Sequence, residues 1–239
     1  IPDGWSCVPD RNYWIGTNQE NAAFHTVPYQ EYRLERPFII SQHEVTRQTW
    51  TDLGAMKGLA DLGEGCTAGC EGGQCPLQCR HLYEFLDLAN VLSTEETLTP
   101  CYTFHYRNGD EITSNDRWMG PEPCPLHESI GEPGQCGWYT RVPDCDGYRL
   151  PTPAEWEIAA RGGYDGTGCY WFGEREREPG DALTLSTENS EGRVHPVGTT
   201  APNGFGLYDV HGNVAEWTQH VLQEVVTDRG GSAITNTDD

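Results

Sequence analysis

The chain has 239 residues and a net charge of −22, with 36% apolar residues, 28 Gly and 16 Pro. A surface this acidic repels phosphate backbones and anionic bilayers, which excludes nucleic acid as an expected partner. No run approaches the roughly 18 apolar residues of a membrane-spanning helix, so we expect a loop-rich globular chain whose modest core is pinned by 8 Trp, 11 Tyr and crosslinks.

In chain order, residues 5–40 read as short strands and turns. Trp14 and Ile15 precede the turn-like Gly16-Thr17-Asn18, and Arg36-Pro37-Phe38-Ile39-Ile40 is an apolar burst suited to a buried strand. Thr46 is placed to cap a helix carrying Trp50 and Leu53. Residues 54–80 are rich in Gly and Cys without a period, too poor in apolar surface to order themselves unless crosslinked. Leu82, Phe85, Leu86, Ala89 and Leu92 recur at helical spacing, which predicts an amphipathic helix facing a core. Residues 101–146 are irregular again. Thr152-Pro153-Ala154-Glu155 then writes a capping box with proline at the first helical position, Trp156, Ala159 and Ala160 share one face, and Gly162-Gly163 supplies a left-handed stop.

The ten cysteines are Cys7, Cys66, Cys70, Cys75, Cys79, Cys101, Cys124, Cys136, Cys145 and Cys169. Their even number and wide spread favour disulfides and an oxidising compartment, and leave the pairing open. The tight set Cys66, Cys70, Cys75 and Cys79 invites a zinc reading, but it lacks the closely spaced pair that opens zinc knuckles, so disulfides are preferred there too. The eight histidines show no metal-ligating spacing. His211 reads as a packing or surface residue, and Ser186, Ser190 and Ser232 lack a nucleophile elbow. The alternating charges of Glu174-Arg175-Glu176-Arg177-Glu178 read as a solvated loop.

Four segments, in this order, carry a resemblance. They are Phe38–Thr46, Gly147–Gly163, the pair Pro196–Thr200 with Pro202–Trp217, and Arg229-Gly230-Gly231-Ser232. Together they resemble the formylglycine-generating enzyme (sulfatase-modifying factor) family over roughly residues 5–232. The resemblance implies an α+β domain of little regular structure, disulfide-rich and related to the C-type lectin fold. It implies a single domain over 1–239 with Cys-rich insertions at about 54–80 and 101–146. The family oxidises a sulfatase cysteine to formylglycine with copper held by two thiolates. Its first active cysteine falls three residues after the serine of Gly-Gly-Ser, which here is Thr235. A threonine hydroxyl is too hard and too weakly acidic to hold Cu(I). The second cysteine would fall one residue past Asp239, and the family's closing segment is expected to be missing from this chain.

No catalytic residue and no copper are therefore expected. A Ca²⁺ site is, because the family's loop maps onto Asp209 and Glu216 through side chains and Gly212 and Val214 through carbonyls. Ca²⁺ takes six to eight hard oxygens, and donors at i, i+3, i+5 and i+7 curl a loop around one ion. A second calcium site near Thr187–Ser190, using Asn189, matches weakly. The functional expectation is a non-catalytic binding or structural protein, secreted, periplasmic or on the cell surface of a bacterial envelope. Its partner would be another protein, an envelope component or a chain completing the fold. The start at Ile1 leaves room for a removed leader or lipid anchor upstream. The alternatives are a working formylglycine-generating oxidase and a lectin-like carbohydrate-binding module.

Overall fold

A computed structural model describes residues 1–17, 28–57, 69–78, 80, 82–105, 138–166, 183–186, 189–219 and 226–229. The chain divides into two compact units. The first comprises Ile1–Asp52, Ala60–Gln78 and Pro151–Asp239; the second comprises Leu53–Leu59 and Cys79–Leu150. Cys66, Cys79, Cys124, Cys136, Cys169 and Thr235 lie outside the described residues.

In the first unit, strand β1 (Trp5–Val8) pairs antiparallel with β4 (Phe38–Ser41), and β2 (Asn12–Ile15) with β3 (Gln30–Arg33). Strands this short have one face to bury. Val8, Tyr13, Ile15 and Leu34 supply it, packing with Ile158, Ala159 and Leu207 into one core that Phe38, Ile40, Phe205 and Val210 border. The burst at 36–40 is therefore only half-buried. Ile39 is 42% exposed because alternation turns it to the outer face. The same alternation corrects the expectation for Cys7: it is a free, exposed thiol opposite Ile39, while Ser6 and Val8 turn inward.

Helix α1 (Arg47–Lys57) begins where expected, with the Thr46 hydroxyl accepting from the Thr49 N–H at 3.1 Å. In the second unit, α2 (Leu82–Glu95) buries Leu86, Leu88, Ala89 and Val91. There β5 (Tyr102–His105) pairs with β6 (Trp138–Arg141). Asn90 ties α2 to β5 by donating to the Tyr102 carbonyl at 2.7 Å and accepting its N–H at 3.1 Å. The disulfide Cys101–Cys145 joins the residue that precedes β5 to the segment that follows β6, and Cys70–Cys75 crosslinks a short turn in the first unit. The latter settles two of the four tightly spaced cysteines as a disulfide, not as zinc ligands.

Back in the first unit, α3 (Pro153–Arg161) carries the full capping box, and Gly162 caps its end at φ +57°. The buried face is Ile158, Ala159, Ala160 and Arg161. Arg161 was not expected inside. It is neutralised by Glu157 at 2.9 Å and donates to the Gly16 carbonyl, while the Gly16 N–H donates to Glu157. That knot fixes α3 to the end of β2. Strand β7 (Glu216–Gln219) pairs with β8 (Val226–Arg229).

Candidate functional site

The loop running from Leu207 into β7 holds all four residues singled out for calcium, and its shape follows from three features. First, Asp209 is 1% exposed with φ +56°. Its carboxylate accepts the N–H groups of Gly198 and of Thr200 (2.9 Å), and its own N–H donates to the Thr200 hydroxyl at 2.7 Å. Second, Gly212 sits at φ +126°, and a Cβ there would stand 1.7 Å from the Leu185 carbonyl oxygen. The Leu185 N–H donates to His211, and the Asn213 N–H donates back to Leu185. Third, Asn213 is fully buried with φ +59°, and its side chain bridges to Glu44 and to His195.

Glu216 opens β7, and one of its oxygens accepts the indole N–H of Trp156 at 3.2 Å. Burial, opposed by that hydrogen bond and reinforced by Asp209, pushes its carboxyl up to about 7. Glu44, 8% exposed, lies near enough to feel both. Burial raises it well above the carboxylate range, and Glu216 and Asp209 raise it further against hydrogen bonds from Val214 and Asn213. Three carboxylates thus share one buried region of like charge. The Gly212 and Val214 carbonyls accept no hydrogen bond from the described residues. No three His, Cys, Asp or Glu side chains among the described residues are arranged to hold a metal by themselves, so a cation here needs those carbonyls. Such a donor set suits a hard cation and offers a soft one no thiolate.

His211 is half-buried and pairs its backbone with Leu185, as a packing residue should. Asn189, weighed for a second ion, spends its amide on Ser186 and Thr184 within its own turn. Glu44, Asn213 and Trp156 were not singled out in the sequence as site residues. Their signal was membership of the same motifs that carry the resemblance. His43 also borders the loop, its ring 4.7 Å from that of Tyr208 and its pKa lowered by burial.

Small two-stranded sheets and three helices among the described residues, with an acidic loop feeding a Glu-Trp strand, define a sulfatase-modifying-factor type of domain. The chain belongs to that family: the family described as sulfatase-modifying factor enzyme 1-like domain matches residues 6–238. It is 47% identical over 237 residues to the formylglycine-generating enzyme of Mycobacterium tuberculosis, covering 88% of this chain and 72% of that protein. To the chaperone protein LppX of Paenibacillus barcinonensis it is 30% identical over 195 residues, covering 75% of this chain and 61% of that protein, less than two thirds of its length. Its fold is similar to that of Treponema denticola variable protein 1, with a TM-score of 0.71 at 24% identity over 98% of this chain and 85% of the other.

Proposed function

We propose that the chain is a non-catalytic binding or structural protein of an extracytoplasmic compartment, built on a Ca²⁺-stabilised sulfatase-modifying-factor scaffold with kinship to C-type lectins. The observation that carries the reading is Thr235, a hydroxyl where the family's first copper thiolate falls. Without that sulfur, a two-thiolate copper site lacks one of its two soft ligands, which argues against the Cu(I) that would activate oxygen. The two disulfides support an oxidising compartment. Similarity to a protein named a chaperone supports a protein as the bound partner. The oxidase reading has one observation in its favour, the 47% identity to a formylglycine-generating enzyme. Cu(I) titration with a cysteine-containing sulfatase peptide separates the two. We expect no stoichiometric copper binding and no turnover; oxygen consumption with conversion of the peptide would overturn the reading.

Ca²⁺ is assigned to the side chains of Asp209 and Glu216 and the carbonyls of Gly212 and Val214. When bound, the ion would neutralise the loop and lock its conformation. Three carboxyl groups brought together, with no cationic side chain among the described residues hydrogen-bonded to any of them, support it. Chelation is expected to lower the melting temperature, and Ca²⁺ at a hundred times its Kd to restore about 2.7 kcal/mol. Asp209→Ala should abolish the response. Because Asp209 also anchors the 198–200 backbone, Glu216→Gln is the second variant, expected to fold and to lose the calcium response. A melting temperature indifferent to chelator in the native chain would sink the assignment.

A further inference from the structure

We propose that Glu44 is a positioning residue for the cation loop: through Asn213 and Val214 it fixes the conformation from which the loop takes its ion. The inference rests on the calcium assignment above, and concerns a residue outside that ligand set.

Glu44 stands between β4 and α1, 169 and 170 positions from the residues it grips. Both of its oxygens are committed to the loop. Oε1 accepts the Val214 N–H at 3.1 Å and Oε2 accepts the Asn213 side-chain amide at 2.8 Å. Asn213 passes the restraint on, donating to the His195 carbonyl at 3.1 Å and accepting the His195 N–H at 3.0 Å. On the other side, the Asn213 N–H donates to Leu185 at 3.1 Å. A trans peptide is planar, with its N–H and C=O opposed. That bond therefore turns the Gly212 carbonyl away from Leu185. Residues 212–214 are thus held from two directions, and they include two successive residues with positive φ, Gly212 and Asn213. Such a backbone is not a default of the chain and persists only where its surroundings over-determine it.

A carboxylate is the one side chain that answers this geometry. Two N–H donors converge on it, and it offers an acceptor to each. Glutamine would turn an NH₂ toward one of those donors and leave a buried polar group opposed. Both of its oxygens already accept from the loop, so Glu44 orients residues 213 and 214 and is not assigned as a ligand. Groups that orient metal ligands in this way change affinity by about 10–100-fold when altered.

The test is calorimetric titration of Ca²⁺ into chelator-stripped full chain, comparing the native sequence, Glu44→Gln and Glu44→Asp, with urea unfolding of each ion-free protein alongside. Glu44→Gln is expected to weaken Ca²⁺ by about 10-fold or more in protein that remains folded. Glu44→Asp, which keeps two acceptor oxygens, should recover part of the loss. A purely architectural glutamate would lower the urea midpoint and leave the affinity of the folded fraction alone. Affinity within twofold of the native value would overturn the proposal while leaving the calcium assignment intact. Failure of the native chain to bind Ca²⁺ would overturn the assignment itself. Should Glu44→Gln not fold, hydrogen exchange on the ion-free native chain decides. The Val214 amide is expected to be protected before any ion is added, and exchange at the rate of an unfolded peptide would overturn the proposal.

Discussion

At Gly212 the backbone leaves no choice of side chain. The positive φ alone costs a non-glycine residue of this kind roughly 1–3 kcal/mol, and a Cβ would collide with a backbone oxygen that cannot swing aside. Gly212→Ala is therefore expected to destabilise the first unit by more than that strain, read as a lowered urea midpoint. Gly192→Ala serves as the comparison. It also has positive φ, but nothing lies within 4 Å of its would-be Cβ, so it should lose only the strain. An equal effect at both positions would remove the Leu185 contact from the account. Asp209 illustrates a different constraint. Its carboxylate connects the loop to the backbone of 198–200, and the proposed ion would take the same group as a ligand.

Among the elements, α2 carries a titrating liability. Asp87 lies on it, and burial raises its carboxyl above the usual 3.8. A raised pKa means that the folded state prefers the proton. The contribution to stability is whole below the unfolded value of 3.8 and is lost as pH rises through the folded one. Asp87→Asn removes that loss. The variant is expected to exceed the native chain in stability at pH 7 and to match it at about pH 3, by urea unfolding at both. A native chain more stable than the variant at pH 7 would show that Asp87 has a compensating partner. Helix α3 is the opposite case: box, proline and glycine agree with one another, and the helix ends where they say. Consistency of local signals is what makes an element legible in advance.

On the scale of the whole molecule, covalent closure restricts the chain at two places among the described residues. Cys101–Cys145 spans 44 residues, and loop entropy of that length is worth about 4 kcal/mol, against about 2 kcal/mol for the 5-residue span of Cys70–Cys75. Cys101→Ser with Cys145→Ser is expected to speed hydrogen exchange in α2 and β5 markedly, and Cys70→Ser with Cys75→Ser to have a smaller, local effect on its turn. Equal effects would argue against chain entropy as the cause. No described helix is long and apolar enough to cross a membrane.

The sequence by itself determined the family, the start of α1, the existence of α2, the complete capping of α3 and the spacing of the Asp209–Glu216 loop. Each rests on neighbours within a few positions, where propensity, caps and periodicity act. Only the tertiary structure decided that Cys7 stays a free thiol, that Ile39 faces outward, that Arg161 is buried, and that Glu44 meets Asn213 across 169 positions. Those outcomes depend on which face of a strand finds a partner and which charge finds a counterpart. Distant segments settle that when they pack, and no local pattern encodes it.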